Sequence, residues 1–118
     1  MLINFTQNLL DVDGNPVPEL FERIQEDGST KRERRNLTLR SVAVAALNAN
    51  FQDEAQQKNH VELSKIKFER GELAFKIYNN DTLDLESEQI SEIKKLVGRI
   101  FSPVIVWRAY KMLEGKTQ

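Results

Sequence analysis

Residues 85–115 constrain the fold more than any other part of this sequence, because they carry two amphipathic helical patterns in succession. In the first pattern, apolar residues recur at the helical period: Ile90, Ile93, Leu96, Val97 and Ile100. The second pattern begins with Ser102 as N-cap and Pro103 at the first helical position, and it ends at Gly115. Because its apolar arc is wide, we expect this last helix to be central. A helical pair therefore closes the chain.

Two further helices are predicted upstream. The first covers residues 39–51, with Thr38 as N-cap and a hydrophobic staple between Leu37 and Val42. The second begins after Ser64 as N-cap, and Gly71 lies inside it. Its apolar stripe is expected to combine Ile66, Leu73 and Ile77 with Phe68, Phe75 and Tyr78. Residues 52–59 are predicted to be a frayed helix end and a loop.

The N-terminal third is more polar and irregular. Ile3 and Phe5 alternate with polar residues, and Asp13-Gly14-Asn15-Pro16 is typical of a turn, so a short strand or hairpin is expected in residues 1–18. Residues 18–24 are compatible with two helical turns, and residues 30–36 with an exposed loop. Among the charged residues, those in 1–28 are mostly acidic, whereas those in 31–40 are mostly basic. Such segments serve as interaction tails or attract each other weakly, and we favour the second interpretation.

These patterns predict one domain over residues 1–118, of the mainly α class. About four helices form a compact bundle, with a short N-terminal β-hairpin. Within it, residues 1–18 are the hairpin, residues 19–36 a charged insertion or loop, and residues 37–115 the helical core.

Composition excludes several classes of protein. The 118 residues include no cysteine, which removes disulfides, thiolate zinc sites and cysteine nucleophiles, and indicates a reducing compartment. No apolar run approaches the roughly 18 residues that a membrane-spanning helix needs. We therefore expect a soluble cytoplasmic protein without membrane contact. The formal net charge of −1 is near zero, but the charges are unevenly placed along the chain.

No arrangement of residues indicates catalysis, a cofactor or a metal. Residues 11–22 place oxygen-bearing side chains at most EF-hand ligand positions, but Pro16 occupies the site where glycine makes the sharp turn. A structural turn is the favoured interpretation there. His60, the only histidine, has no second ligand nearby in sequence and is expected to be solvated. We therefore predict that the chain is not an enzyme and uses no cofactor.

Two features keep nucleic-acid binding open as a less favoured hypothesis. The basic residues 31–40 could neutralise phosphates. Residues 89–107 superficially resemble a helix-turn-helix with Gly98 as the turn glycine, although Lys94 stands where a small residue is needed and Arg99 where a buried one is. A plain helical hairpin is the preferred interpretation of that segment.

A protein partner is the more favoured hypothesis. Trp107 and Tyr110 belong to the residue types that dominate interface energies, although a core position is their commoner role. The candidate partner-binding residues are Trp107, Tyr110, Arg32, Arg34 and Arg35. If part of the Trp107 arc is exposed, homo-oligomerisation is a simple way to cover it.

Several segments carry a resemblance to a known group of proteins. They are MLINFTQ at 1–7, DGNP at 13–16, LTLRSVAVAAL at 37–47, LAFKIY at 73–78, DL at 84–85, ISEIKKLVG at 90–98, and residues 102–115. In this order they resemble small proteins of tailed bacteriophages and prophages, whose function is unassigned. The resemblance covers nearly the whole chain except residues 18–36, and it involves core and capping residues only.

The resemblance implies a phage protein located in the host cytoplasm or in the virion. Together with the residues above, it leads us to expect a non-enzymatic protein that acts by protein–protein interaction, on a host factor or as an assembly accessory. A structural component of the head, neck or tail is the first alternative. A nucleic-acid-binding phage regulator is the second.

Overall fold

The computed structural model describes residues 1–116, which form five helices and four short strands. In chain order they are β1 (Leu2–Asn4), β2 (Pro18–Ile24), β3 (Thr30–Asn36), α1 (Leu39–Asn48), α2 (Gln52–Gln57), α3 (His60–Asn79), β4 (Thr82–Asp84), α4 (Ser87–Ile100) and α5 (Pro103–Leu113). The strands make two separate antiparallel sheets, β1 with β4 and β2 with β3.

The predicted fold class, a helical bundle with one N-terminal hairpin, is therefore wrong, and the fold is mixed α and β. The strand at Ile3 does not pair within residues 1–18 but with Leu83, some eighty positions away in the chain. Local alternation shows that a segment can be a strand but does not identify its partner, which tertiary packing selects. Ile3 and Phe5 are buried there in the core.

The core surrounds α1. This helix contacts α3, α4 and α5, and all of its buried residues are apolar: Leu39, Val42, Ala43, Ala46 and Leu47. The two alanines leave room for neighbouring helices to approach closely. The expectation that the last helix is central is wrong. One side of α5 contributes Ile105, Ala109, Met112 and Leu113 to the core, but Trp107 on the same helix is exposed.

Several helix ends lie where the sequence predicts them. Thr38 caps α1, where its side-chain oxygen accepts a hydrogen bond from the Ser41 N–H. Ser102 precedes α5 and Pro103 is its first residue. Gly115 has φ +75°, a value suited to glycine, just after that helix ends. The predicted end of α1 at residue 51 is three positions too late.

Other boundaries differ from those predicted. The cap of α3 is Asn59, whose side-chain oxygen accepts from the Glu62 N–H, so the helix begins four residues before the expected cap at Ser64. A short helix, α2, replaces the loop expected at residues 52–59. At the start of α4, Glu86 and Gln89 form a capping box.

The outer aromatic side chains of α3 also lie differently from the prediction. The helix buries Arg70, Leu73, Ala74 and Ile77 on one side. Phe68, Phe75 and Tyr78 do not broaden that stripe but are 71%, 70% and 67% exposed. Because 100° separates successive helical residues, these aromatics lie on the face opposite the core. The helix therefore has two apolar faces, of which the domain covers one.

Candidate functional site

The segment predicted to be a charged loop is a β-hairpin that projects from the helical domain. β2 and β3 pair from Pro18 with Asn36 to Ile24 with Thr30, and no residue of either strand is buried. Gly28, with φ +84°, makes the turn between them. The short helix expected over residues 18–24 is therefore also wrong. Leu20 and Ile24 lie on one face of the ribbon and Phe21 lies on the other, so these residues do not form the single apolar stripe of a helix.

Backbone hydrogen bonds hold the base of this hairpin. The N–H of Leu9 donates to the carbonyl of Leu37, that of Leu37 to Val17, and that of Val17 back to Leu9. Leu9 is fully buried, so this closed ring of bonds attaches the hairpin to the core. A two-stranded ribbon alone is marginally stable in water, and the anchored base compensates for this. The hairpin is thus exposed along its strands and anchored to the core at its base.

The three arginines that were predicted to bind a partner lie on different faces of the hairpin, because side chains alternate along a strand. Arg32 and Arg34 share one face with the exposed side chains of Leu20 and Ile24. Arg35 lies on the other face. The basic segment is therefore not one continuous patch.

The acidic and basic segments pair across the hairpin, as the favoured interpretation of the charge pattern proposed. Arg35 Nε lies 2.9 Å from an oxygen of Glu19, and Arg32 Nε lies 3.3 Å from Glu22. The Arg35 guanidinium also stacks over the ring of Phe21, 4.2 Å from its centroid. Arg34 faces Leu20 across the ladder rather than a carboxylate. Of these three arginines, Arg34 is the one best placed to contact a partner.

The two candidate partner-binding residues on α5, Trp107 and Tyr110, have different surroundings. Trp107 is 51% exposed, and its ring lies beneath the cations of Lys111 and Arg108, at 4.4 and 5.0 Å. One Arg108 nitrogen donates to the Asp11 carbonyl at 2.7 Å, while its buried Nε has no protein partner among the described residues. Arg108 thereby ties α5 to the turn after Leu10. Trp107 is accessible to a partner.

Tyr110, by contrast, holds the helical pair together. Its hydroxyl donates to the carbonyl of Lys94 at 2.8 Å, and the ring is partly buried between α4 and α5. Lys94 Nζ lies 5.5 Å from the ring centroid and 2.9 Å from Glu114. Hydrogen bonds from Lys94 and Lys116 lower the pKa of the Glu114 carboxyl. The structure therefore does not join Tyr110 and Trp107 in one exposed site.

A buried charge cluster was missed by the sequence analysis. Arg70 is 7% exposed and binds both oxygens of Glu54 at 2.8 Å, and its Nε donates to Glu92 at 2.8 Å. The hydrogen bonds from Arg70 hold the pKa of the Glu54 carboxyl below its ordinary value, although burial opposes the shift. The cluster joins α2, α3 and α4. One signal was available, because Arg70 lies on the apolar stripe between Ile66 and Leu73.

An open groove of about 480 Å³ borders this cluster. Lysines and glutamates line most of it, among them Lys58, Glu72, Lys76 and Glu88. The guanidinium of Arg70 is occupied by its two carboxylates, so it has little capacity left for an anionic ligand. The groove is therefore a polar surface depression beside a structural ion cluster.

The remaining sequence candidates have structural explanations. The Asp11 carboxylate accepts hydrogen bonds from the N–H groups of Asp13 and Asn15, which forms the predicted turn. His60 is exposed at the first position of α3. Gly98 lies inside α4, so it is not a turn between two helices as a helix-turn-helix requires. Within residues 1–116, no three histidine or carboxylate side chains are grouped as metal ligands.

No helix in the described part of the chain has both the length and the hydropathy to span a membrane. Comparison with other proteins adds no family assignment. No protein-family model, curated protein or solved structure matches this chain significantly.

Proposed function

We propose that this chain is a non-enzymatic phage protein that acts in the host cytoplasm by binding another protein, with the β2–β3 hairpin as its main contact element. The observation that supports this most directly is the exposure of the hairpin, in which no strand residue is buried. The hairpin strands add no buried residue to the core, so their side chains remain available for contact. Exposed segments carried on a rigid scaffold are where binding residues concentrate.

The chemistry of one hairpin face indicates the kind of partner. Leu20 and Ile24 are exposed there beside Arg32 and Arg34. Arginine is enriched at interfaces, and apolar side chains favour removal from water. Because Glu22 on the same face pairs with Arg32, the complementary surface is a small apolar patch with a carboxylate opposite Arg34. Trp107, half-exposed on α5, is a second contact point.

The contacts of the arginines support placing the protein-binding role first. Glu22 and Glu19 already neutralise Arg32 and Arg35, which lowers the positive charge available to nucleic-acid phosphates. A nucleic-acid-binding regulator therefore ranks below a protein-binding role. A head, neck or tail component is compatible with the same hairpin, because assembly is also protein–protein contact.

The test is affinity capture of the tagged chain from infected host cells. The wild-type chain is expected to recover one partner in stoichiometric amount. The variant Leu20→Ser/Ile24→Ser should lose it without a change in circular dichroism, because both side chains are exposed. Val12→Ser, an exposed apolar side chain outside the hairpin, is the matched control and should keep the partner. Equal recovery by the hairpin variant, or repeated recovery of the chain alone, would refute the proposal.

Two measurements separate the alternatives. A virion component is present in purified particles by mass spectrometry, whereas a cytoplasmic effector is not. A regulator binds DNA or RNA with an affinity that falls steeply with salt and weakens in Arg34→Ala/Arg35→Ala. Salt-independent or absent binding excludes the regulator.

A further inference from the structure

The outer face of α3 is an apolar surface that nothing in the described part of the chain covers. The exposed residues on it are Val61, Ser64, Phe68, Gly71, Phe75 and Tyr78. Their spacing alternates between three and four residues over nearly the whole 20-residue helix. This is the spacing with which one helix packs against another along a coiled-coil seam.

From Val61 to Phe75 the seam alternates large and small side chains. Ser64 separates Val61 from Phe68, Gly71 separates Phe68 from Phe75, and Tyr78 follows Phe75 directly. A β-carbon built on Gly71 would meet no atom within 4 Å, so packing inside the domain does not require glycine there. Glycine inside a helix is less stable than alanine. A second molecule that packs closely against this face would explain why residue 71 is glycine.

We propose that this face binds the α3 face of a second copy of the chain, with the two helices antiparallel. In an antiparallel pair, residue numbers rise along one helix as they fall along the other. The numbers of two opposing seam residues therefore always have the same sum. When Phe68 opposes Gly71 of the second copy, Phe75 opposes Ser64 and Tyr78 opposes Val61. Each phenylalanine then fits against a small residue, as close packing demands. A parallel pair would instead place each phenylalanine against itself.

The charges beside the seam agree with the same register. In an antiparallel pair, the residues that flank the seam on one side face their counterparts across the interface. Lys65 and Glu72 occupy two such positions, and the same register brings Lys65 of one copy to Glu72 of the other, twice per dimer. The surface is thus complementary to itself in both shape and charge. This self-complementarity is why a second copy, rather than another protein, is the occupant.

The available area suits a dimer. A fully covered aromatic side chain buries about 150–250 Å², so three that are about 70% exposed leave roughly 100–170 Å² each. Two copies together then cover about 600–1,000 Å² of aromatic surface. Val61 and the methylene stems of the flanking lysines bring the total toward the roughly 1,200 Å² at which stable interfaces begin. The dimer does not depend on the proposed role of the hairpin.

The primary test is sedimentation equilibrium from low micromolar to millimolar concentration. The wild-type chain should reach the mass of a dimer. Phe68→Ser/Phe75→Ser should raise the dissociation constant by at least about 100-fold without changing the circular dichroism of the monomer, because both rings are exposed. Leu20→Ser/Ile24→Ser, which removes exposed apolar side chains elsewhere, is the control and should dimerise normally.

Charge exchange tests the register. Lys65→Glu and Glu72→Lys should each weaken self-association, because each places like charges opposite one another twice. Mixing the two variants should restore a dimer, since every pair across the mixed interface is then opposite in sign. A parallel dimer would not respond to Lys65→Glu in this way.

Gly71→Leu is expected to have opposite effects on the stability of the monomer and on the affinity of the dimer. The substitution should stabilise the monomer, where the site is open, and weaken the dimer by filling the space for Phe68 of the second copy. A monomeric wild-type chain at millimolar concentration, or a dimer unaffected by the Phe68 and Phe75 changes, overturns the proposal. Loss of a heterologous partner by those variants while the wild-type chain stays monomeric would assign the face to a different protein and also overturn it. Failure of the mixed charge variants overturns the antiparallel register.

Discussion

Two helical glycines, Gly71 in α3 and Gly98 in α4, have opposite surroundings. Gly71 is open, whereas a β-carbon on Gly98 would lie 2.9 Å from the Tyr110 hydroxyl oxygen. That hydroxyl is held by its hydrogen bond to the Lys94 carbonyl. Glycine at residue 98 therefore permits the close contact of α4 with α5. The helix-turn-helix interpretation had assigned this glycine to a turn.

This contrast predicts different effects of the same substitution. In dilute solution, Gly71→Ala should raise the free energy of unfolding by about 1 kcal/mol, the usual difference in helix propensity. Gly98→Ala should gain little or become destabilising, because its methyl group displaces the Tyr110 hydroxyl. Urea denaturation measures both effects. Against a Tyr110→Phe background, Gly98→Ala should become stabilising, and an equal gain for both alanines in the wild-type chain would contradict this account.

Arg70 provides a second prediction at the scale of single residues. Arg70→Met removes the cation between Glu54 and Glu92 and should cost about 3–5 kcal/mol, because Glu54 stays buried without its partner. The double variant Glu54→Gln/Arg70→Met should recover part of this loss. Arg32→Met is the control, since its exposed pair with Glu22 should contribute no more than about 1 kcal/mol. Urea denaturation with similar losses for Arg70→Met and Arg32→Met would show that the cluster is not structural.

At the scale of the elements, the hairpin should be separable from the domain. Replacement of residues 19–35 by Asn-Gly would join Pro18 to its ladder partner Asn36 through a two-residue turn. Because no removed residue is buried, we expect cooperative unfolding with a melting temperature within about 4 °C of the wild-type value.

Differential scanning calorimetry tests the hairpin deletion. A broad or absent transition would show that the hairpin supports the core. A retained transition combined with loss of the captured partner would assign binding to the hairpin itself. The same shortened chain should still dimerise, because α3 lies outside the deletion.

At the scale of the whole molecule, stability should depend on pH through the carboxylates paired in the fold. The pKa of Glu54 lies below its ordinary value of 4.5 in the folded chain, mainly through its hydrogen bonds with Arg70. A lowered folded-state pKa contributes stability that is complete above the unfolded value and is lost as pH falls through the folded value. We therefore expect the free energy of unfolding to fall as the pH drops below about 4.5.

The comparison that isolates Glu54 is with the variant Glu54→Gln. Its stability should fall less steeply over the same acidic range, because it has one fewer group to protonate. Urea denaturation at a series of pH values gives the two slopes. Parallel slopes for the variant and the wild-type chain would rule out Glu54 as a contributor to acid sensitivity.

Sequence alone determined several features that depend on neighbours within one helical turn, although the cap of α3 is Asn59 and not the predicted Ser64. The cap at Thr38, the start at Pro103 and the end before Gly115 were predicted correctly, because caps and restricted dihedral angles act locally. The charge pairing of residues 19–35 was also favoured from the sequence. The hairpin itself was not, because a ribbon exposed on both faces lacks the one-sided apolar alternation that marks a half-buried strand.

Only the tertiary structure decided which partner each apolar surface obtains. Ile3 pairs with Leu83 far along the chain, and α3 buries Leu73 and Ile77 while exposing Phe68 and Phe75. A sequence pattern shows that a face is apolar, but competition among all surfaces of the folded chain determines which face is covered. Two apolar faces on one helix look like one broad stripe in sequence. The fold separates them, and the described residues leave the aromatic face of α3 exposed.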